Sequence, residues 1–289
     1  MTSTLSCLSF NIWDLPVWLP KANPQKRLAR MPEAIGALAP DLICLQESFR
    51  ITNRRRLLSA LPQRFHSAGS GQSRWMLPFV RADRTGGLAL LSRFSFEEHR
   101  FVAHARFARM RLDERLGQKG FVLGRIRVGD AEVHVVNVHL YAGRTASDRV
   151  IRLQQLDSLF THIGQYCPGS APVILAGDFN ASPSMHFPLS HRHEPTPEYE
   201  RIISEGFVDT LSGAGAEAVT YTGWQNVQAK LLYDTAQIAQ RFDYVFYRSG
   251  DKYRMETLEA RVVFNNGHHL SDHNGVFCRL KISEHRPTS

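Results

Sequence analysis

Two short motifs concentrate the reactive side chains of this chain: Gly177-Asp178-Phe179-Asn180 and, about ninety residues later, Leu270-Ser271-Asp272-His273. Each sets a carboxylate beside a group that can handle a proton or a phosphate oxygen, and each adjoins an apolar, strand-like run. A rigid strand ending in a short polar side chain holds that side chain still at a catalytic rim. Phosphodiester hydrolysis near neutral pH calls for a divalent ion to neutralise charge at phosphorus, a base for the attacking water, and a donor or metal for the leaving oxygen. Asn11, Glu47, His139, Asp178, Asn180, Asp243, Asp272 and His273, all at the ends of apolar runs, could supply them. A histidine titrates near neutrality, and a neighbouring carboxylate fixes its tautomer. Taken singly, each residue has a plainer reading, since Asp at a strand end usually forms a turn and Glu after a strand caps a helix. Their joint occurrence implies a metal-assisted phosphoester hydrolase.

The elements that must position these residues follow from the apolar spacing. Leu5 to Asn11, Asp41 to Leu45, Gly87 to Ser92, Phe96 to His104, Pro172 to Ala176, Phe242 to Tyr247, Glu256 to Phe264 and Gly275 to Ile282 read as strands. Phe121 to Val128 and Glu132 to His139 form a hairpin about Gly129-Asp130. Helical spacing covers Pro24 to Leu38, where Pro32 should start or kink the helix, then Phe49 to Leu61, Ser147 to Ile163 and Thr196 to Glu205. Many strands with a few helices fit two packed sheets flanked by helices.

With 289 residues, 43% hydrophobic and 10% aromatic, the chain can bury a large core. No linker or repeat divides it, so one domain is expected; the Pro/His-rich patch His186 to Pro197 reads as a long surface loop. The net charge of +8 and pI near 9.6 favour anionic partners: phosphate esters, nucleic acid or an acidic membrane surface. The basic residues are scattered, and Arg54-Arg55-Arg56 with most others should be solvated surface. Cys7, Cys44, Cys167 and Cys278 lie too far apart for a zinc site and read as buried thiols. Met1 to Ser9 shows no signal peptide, which leaves a cytoplasmic protein and a secreted one with its leader removed both open. No apolar run approaches the roughly 20 residues that span a bilayer.

Ser9-Phe10-Asn11-Ile12-Trp13, Leu45-Gln46-Glu47, Val138-His139-Leu140, Gly177-Asp178-Phe179-Asn180, Arg241-Phe242-Asp243-Tyr244-Val245 and Ser271-Asp272-His273 resemble, in order, the motifs of the endonuclease/exonuclease/phosphatase superfamily, and within it the neutral sphingomyelinases. The resemblance implies a DNase-I-like α/β fold, a four-layer sandwich of two packed, mainly antiparallel β-sheets flanked by helices, as a single domain over 1–289 with its core at about 5–282. It also implies roles. Glu47 would be the principal Mg²⁺ ligand with Asn11 beside it and Asp272 near the metal, Mn²⁺ or Co²⁺ being able to substitute. Asp178 and Asn180 would hold the attacking water and a phosphate oxygen, or a second ion. His273 would act as general base or as the charged partner of the phosphate, oriented by Asp243, while His139 would contact the phosphoryl oxygens from the opposite side. His134, His268 and His269 match no position and receive no role.

Superfamily members cut DNA, RNA, inositol phosphates and phospholipids with one core, so the substrate must be read outside it. Gly117-Gln118-Lys119-Gly120-Phe121, Leu140-Tyr141-Ala142 and Asn11-Ile12-Trp13-Asp14-Leu15-Pro16 resemble sphingomyelinase elements, which makes Lys119 and Tyr141 candidate substrate-binding residues. Trp224, with Tyr221 and Tyr233, could stack on a choline headgroup or on a base. Leu15 to Pro20 and Trp75 to Val80 are apolar where loops are expected, and Trp18 or Trp75 could enter a headgroup layer. The expectation is a monomeric Mg²⁺-dependent phosphodiesterase acting on phospholipid at a membrane surface, sphingomyelin to ceramide and phosphocholine. The alternative is a nuclease acting on DNA or RNA, which the positive charge would assist. A silent binding module is disfavoured because none of the expected ionisable positions is replaced.

Overall fold

Leu5, Cys7, Leu42, Cys44, Val133, Val135, Ile174, Ala176 and Val245 lie in one apolar layer with essentially no solvent contact. Their alternate spacing along five strands makes that layer the seam between two sheets. The structure, a computed structural model, describes residues 2–15, 24–68, 73–77, 80–83, 85–143, 145–187, 192–213, 218–223, 240–267 and 269–285. In chain order its elements begin β1 (Thr2–Asp14), α1 (Pro24–Leu38), β2 (Leu42–Ser48), α2 (Ile51–Ala60), β3 (His66–Ala68), β4 (Ser73–Leu77), β5 (Val80–Asp83) and β6 (Ala89–Ser92). They continue with β7 (Phe96–Ala103), α3 (Leu112–Gly117), β8 (Gly120–Val128), β9 (Ala131–His139), α4 (Ala146–Tyr166), β10 (Val173–Asp178), β11 (Ser184–Phe187) and β12 (Arg192–Pro195). The last are α5 (Pro197–Ser204), β13 (Val208–Asp209), β14 (Asp243–Arg248), β15 (Tyr253–Val263) and β16 (Gly275–Glu284).

The first large sheet runs β15-β16-β1-β2-β6-β3 and the second β13-β14-β10-β9-β8-β7. Neighbours are antiparallel except β1 with β2 and β9 with β10, so each sheet is mixed but mainly antiparallel. Met31 and Ile35 of α1 and Leu57 of α2 pack on Leu8, Phe10 and Ile43 across the outer face of the first sheet. Leu156, Leu159 and Ile163 of α4 and Ile202 of α5 pack on Val136, Leu175 and Phe246 across the outer face of the second. Helices, sheet, sheet, helices is the four-layer sandwich expected. Thr145 and Asp148 close a reciprocal capping box that starts α4.

Several local expectations need correction. Pro32 sits inside α1, where its ring forfeits one hydrogen bond to the Leu28 carbonyl while fully buried Met31 and Ile35 keep the helix on its sheet. Trp75 lies on a strand, since β4 and β5 pair as a two-stranded ribbon where a loop was expected; Trp18 falls outside the described residues. Much of His186 to Pro197 likewise pairs as β11 with β12. Arg54 is 2% exposed instead of solvated, and its guanidinium donates to the Ser48 hydroxyl and carbonyl. All four cysteines are free, buried thiols. Among the described residues no helix is long and apolar enough to cross a membrane.

Candidate active site

Along the strands that face the seam, apolar residues give way to polar ones at one end. On β1 the inward series is Leu5, Cys7, Ser9, Asn11; on β2 it is Leu42, Cys44, Gln46; on β9 it is Val133, Val135, Asn137, His139. Ile174, Ala176 and Asp178 repeat the pattern on β10. Parallel pairing sets Asp178 opposite His139, and antiparallel pairing sets Asp178 opposite Asp243, so three adjacent strands deliver three reactive side chains in one row. Gly177 makes that row possible: at φ 150° a Cβ would lie 2.0 Å from the Val138 carbonyl oxygen. Across the seam, β1 and β2 slip register between Asn11 and Asp14, with Trp13 at φ 50° and Glu47 at φ 53°. Left-handed backbone at non-glycine residues costs about 1–3 kcal/mol each, and here it turns the Glu47 carboxylate toward the rim.

Asp178 is the hub. Its Oδ1 accepts the Asn180 N–H at 2.9 Å and its Oδ2 accepts Asn11 Nδ2 at 3.0 Å. That Oδ2 also lies 3.4 Å from His139 Nε2 and 3.8 Å from His273 Nε2. His273 Nδ1 bonds Asp243 Oδ2 at 2.8 Å, and its ring lies against Tyr221 with centroids 4.8 Å apart. Burial opposes a charge on the His273 ring, but Asp243 and Asp178, with Asp272 behind them, overcome it and lift its pKa to about 10. Burial raises Asp243 to about 6, with Asp178 adding to the rise and His273 opposing it. His139 is held well below the ordinary histidine value by burial, then by the charges of Lys119 and His273, and stays neutral. Glu47 is raised to about 7 by burial and then by Asp272.

The remaining expected residues separate. Lys119 is buried beside the site, ion-paired to Glu114 at 2.9 Å and donating to the Leu140 carbonyl at 3.2 Å; its charge acts on Glu47 and His139. Asn180 Nδ2 donates to the same carbonyl at 3.1 Å. Tyr141 is not brought to the site: it is 1% exposed, packs with Met110 and Ile151, and accepts the Arg111 N–H on its hydroxyl. Trp224 and Tyr233 fall outside the described residues, and Tyr221 is committed to His273 and Phe242. His134 lies on the opposite face of β9, bonded to Glu132.

Three supporting residues, Arg27, Asn137 and Thr220, carried no functional signal in the sequence, and a fourth, Gln46, was visible there only as part of the Leu45-Gln46-Glu47 motif. Arg27 of α1, 4% exposed, donates to the carbonyls of Ile12, Trp13 and Leu270, tying the end of β1 to the segment that bears Asp272 and His273. Gln46 and Asn137 bond across the seam at 2.8 Å, and Asn137 also donates to the Leu45 and Ala89 carbonyls. Thr220 accepts the N–H groups of Phe242 and Asp243 on its hydroxyl. Asn137 was the most accessible of these, two residues before His139 and so on the same strand face.

The donor set suits a hard divalent cation. Ligand atoms of Asp178, Asp243 and His273 lie within 4.8 Å of one another, although His273 Nδ1 is already bonded to Asp243. Both ring nitrogens of His139 and Oδ1 of Asp243 are buried without a hydrogen-bond partner. Glu47 carries a raised pKa, first through burial and then through the charge of a second carboxylate, Asp272. Carboxylates that repel one another in a buried rim are the complement of a cation. Asn11 contributes differently: its Oδ1 accepts the Trp13 N–H at 3.0 Å while its amide nitrogen orients Asp178.

A two-sheet sandwich with a histidine, amide and carboxylate rim at the polar strand ends defines a class of phosphoester hydrolases. Residues 8–273 match the Endonuclease/Exonuclease/phosphatase family, and the chain belongs to it. It is 26% identical over 302 aligned positions to a Drosophila melanogaster protein named "Putative neutral sphingomyelinase", covering 99% of this chain but only 62% of that relative. Sphingomyelinase C from Streptomyces griseocarneus superposes with a TM-score of 0.67 at 19% identity, covering 96% of this chain and 99% of that one. D. rerio TDP2 in complex with a single-strand DNA product superposes with a TM-score of 0.65 at 19% identity, over 96% and 99% of the two chains. The structural likenesses establish the shared fold.

Proposed function

We propose that this chain is a single-domain, Mg²⁺-dependent phosphodiesterase that hydrolyses phospholipid diesters, sphingomyelin to ceramide and phosphocholine being the reaction it fits best. The observation that carries the hydrolytic reading is the buried row of Asp243, His273 and Asp178, with His273 held at 2.8 Å by one carboxylate and 3.8 Å from the other. Glu47 and Asp272, with Asn11, would hold the divalent ion, whose charge neutralises the phosphate and its developing oxyanion. Mn²⁺ or Co²⁺ would replace it through the same oxygen donors.

His273, held as the cation between Asp243 and Asp178, is the charged partner of the phosphate; Asp178 takes up the proton of the attacking water, and the His273 Nε2–H is available to the leaving oxygen as its bond to phosphorus breaks. Asp243 fixes the orientation of the His273 ring through Nδ1, leaving Nε2 as the ring nitrogen open to substrate. His139, neutral and with free ring nitrogens, donates to a phosphoryl oxygen without adding charge. Asn180, at φ 48°, points its amide along the same wall and positions a second oxygen. Lys119 contributes positive potential from behind.

The lipid reading is supported by the sphingomyelinase-named relative and by the Lys119-Gly120 element at the site. A second reading, cleavage of nucleic acid, is favoured by the net charge of +8 and by the TDP2 likeness. A metal-supplemented release assay compares sphingomyelin, phosphatidylcholine, lysolipids and DNA at equal phosphate. Release of phosphocholine from sphingomyelin above the other substrates supports the proposal. DNA cleavage with intact lipids would replace it with the second reading.

A further inference from the structure

Between β7 and β8 the chain leaves the sheet for residues 104–119, and this excursion exposes apolar and basic side chains together. Leu112 is 68% exposed and Leu116 is 48% exposed, four residues apart on α3, with exposed Arg115 between them on the same face. Arg106 and Arg109 precede them, both exposed, and Phe107 lies beneath the Arg109 guanidinium. No carboxylate among the described residues pairs with Arg106, Arg109 or Arg115. The opposite face of α3 is anchored: Glu114 pairs with Lys119 and accepts the Ala142 N–H, while Met110 enters a small core with Tyr141 and Ile151. The helix is therefore fixed to the wall of the active site through Lys119, with its apolar and cationic face turned outward.

We infer that α3 and the preceding arginines form a docking surface for an anionic lipid bilayer, set beside the active site. This surface rests on the lipid reading of that site. Leucines flanked by unpaired arginines match a headgroup layer, where the alkyl groups enter the acyl boundary and the guanidinium groups meet phosphate. Each basic residue near such a surface strengthens association by about fivefold. A nucleic-acid partner would use the arginines, but exposed leucines offer nothing to a phosphate backbone. Because Lys119 links α3 to the catalytic wall, docking there brings the site down onto the membrane plane.

The full chain is tested by co-sedimentation with phosphatidylcholine vesicles, with and without phosphatidylserine. Turnover of soluble bis(4-nitrophenyl) phosphate and circular dichroism report the integrity of each variant. The native protein should prefer the phosphatidylserine vesicles and release from them as salt rises. Leu112→Glu with Leu116→Glu, or the milder Leu112→Gln with Leu116→Gln, should weaken partitioning by at least about tenfold. Arg106→Gln, Arg109→Gln and Arg115→Gln together should erase the preference for phosphatidylserine. Soluble turnover should remain in every case. Native partitioning by both leucine variants overturns the inference, as does a triple arginine variant that keeps its vesicle preference. If sphingomyelin in detergent micelles resists cleavage, the functional reading fails, and the vesicle results still decide this surface.

Discussion

His273 sits between two buried carboxylates, and its neighbours decide what it does more than its own chemistry. Asp243 at 2.8 Å fixes the ring, and Asp178 closes the other side. Replacing His273 with Ala, or Asp178 with Asn, should lower turnover by about a hundredfold or more while circular dichroism stays native. Near-normal rates in either variant would remove that residue from catalysis. His104 makes the opposite case, a histidine with no visible task. It is 6% exposed, neither ring nitrogen closes a hydrogen bond, and burial followed by the Lys119 charge pushes its pKa down to about 3. The folded chain thus keeps the ring neutral while the unfolded chain protonates it below the ordinary value of 6.5. Between those limits the unfolded state binds more protons, so stability falls as pH falls, by up to about 1.4 kcal/mol per pH unit. His104→Leu should shift the acid-unfolding midpoint, followed by fluorescence, to lower pH; an unchanged midpoint would show that the ring gains no proton on unfolding.

At the scale of elements, strand ends do the positioning, and the device that aligns the two sheets is a polar bolt in an apolar seam. Asn137 of β9 reaches the Gln46 side chain on β2 and two main-chain carbonyls, all without solvent contact. Asn137→Leu fills the same space but removes the Oδ1 acceptor from Gln46, which keeps its bond to the Cys44 carbonyl, and takes the side-chain donor from both the Leu45 and Ala89 carbonyls. It should cost about 2–4 kcal/mol, read as a lower urea midpoint with an unchanged slope, and it should depress turnover because Glu47 follows Gln46. A midpoint equal to the native one would mean the seam repacks without this contact. The long elements and the polar strand ends that bring His139, Asp178 and Asp243 into one row were legible in the sequence because both follow local rules. Apolar period marks a strand, and a polar residue ending that period marks the rim. Arg27 and Asn137 were not legible as parts of the site, and the bond of Gln46 to Asn137 was not legible from its motif, since these partners lie 14 to 243 residues away and no periodicity encodes such pairing. The short strands β3 and β13 escaped for a related reason: with three and two residues they carry too little pattern, and their sheet neighbours define them. Trp75 was misplaced because apolar residues beside prolines suit a loop as well as a ribbon.

For the molecule as a whole, the site is a joint between two sheets that carries excess negative charge. Glu47 and Asn11 come from the first sheet and Asp272 from the segment leading into β16, whereas His139, Asp178 and Asp243 come from the second. Without a cation, Glu47 is charged only against burial and against Asp272, which is why its pKa rises to about 7. The folded chain therefore holds a proton that the unfolded chain releases near the ordinary value of 4.5, and this contribution to stability is lost as pH rises from 4.5 to about 7. At pH 8 the metal-free protein bears the full penalty. Glu47→Gln removes it and should raise the metal-free protein's stability by on the order of 1–3 kcal/mol, while abolishing turnover. Mg²⁺ should stabilise the native protein by about 2.7 kcal/mol at a hundredfold excess over its dissociation constant, and should leave Glu47→Gln much less affected. Thermal denaturation of both proteins at pH 8, with EDTA and with Mg²⁺, separates the two effects. A variant less stable than the native protein in EDTA, or one that Mg²⁺ stabilises equally, would mean that Glu47 is neither the strained carboxylate nor the principal ligand. The expected pattern, a variant that gains stability as it loses chemistry, is that of a fold holding like charges together for a cation.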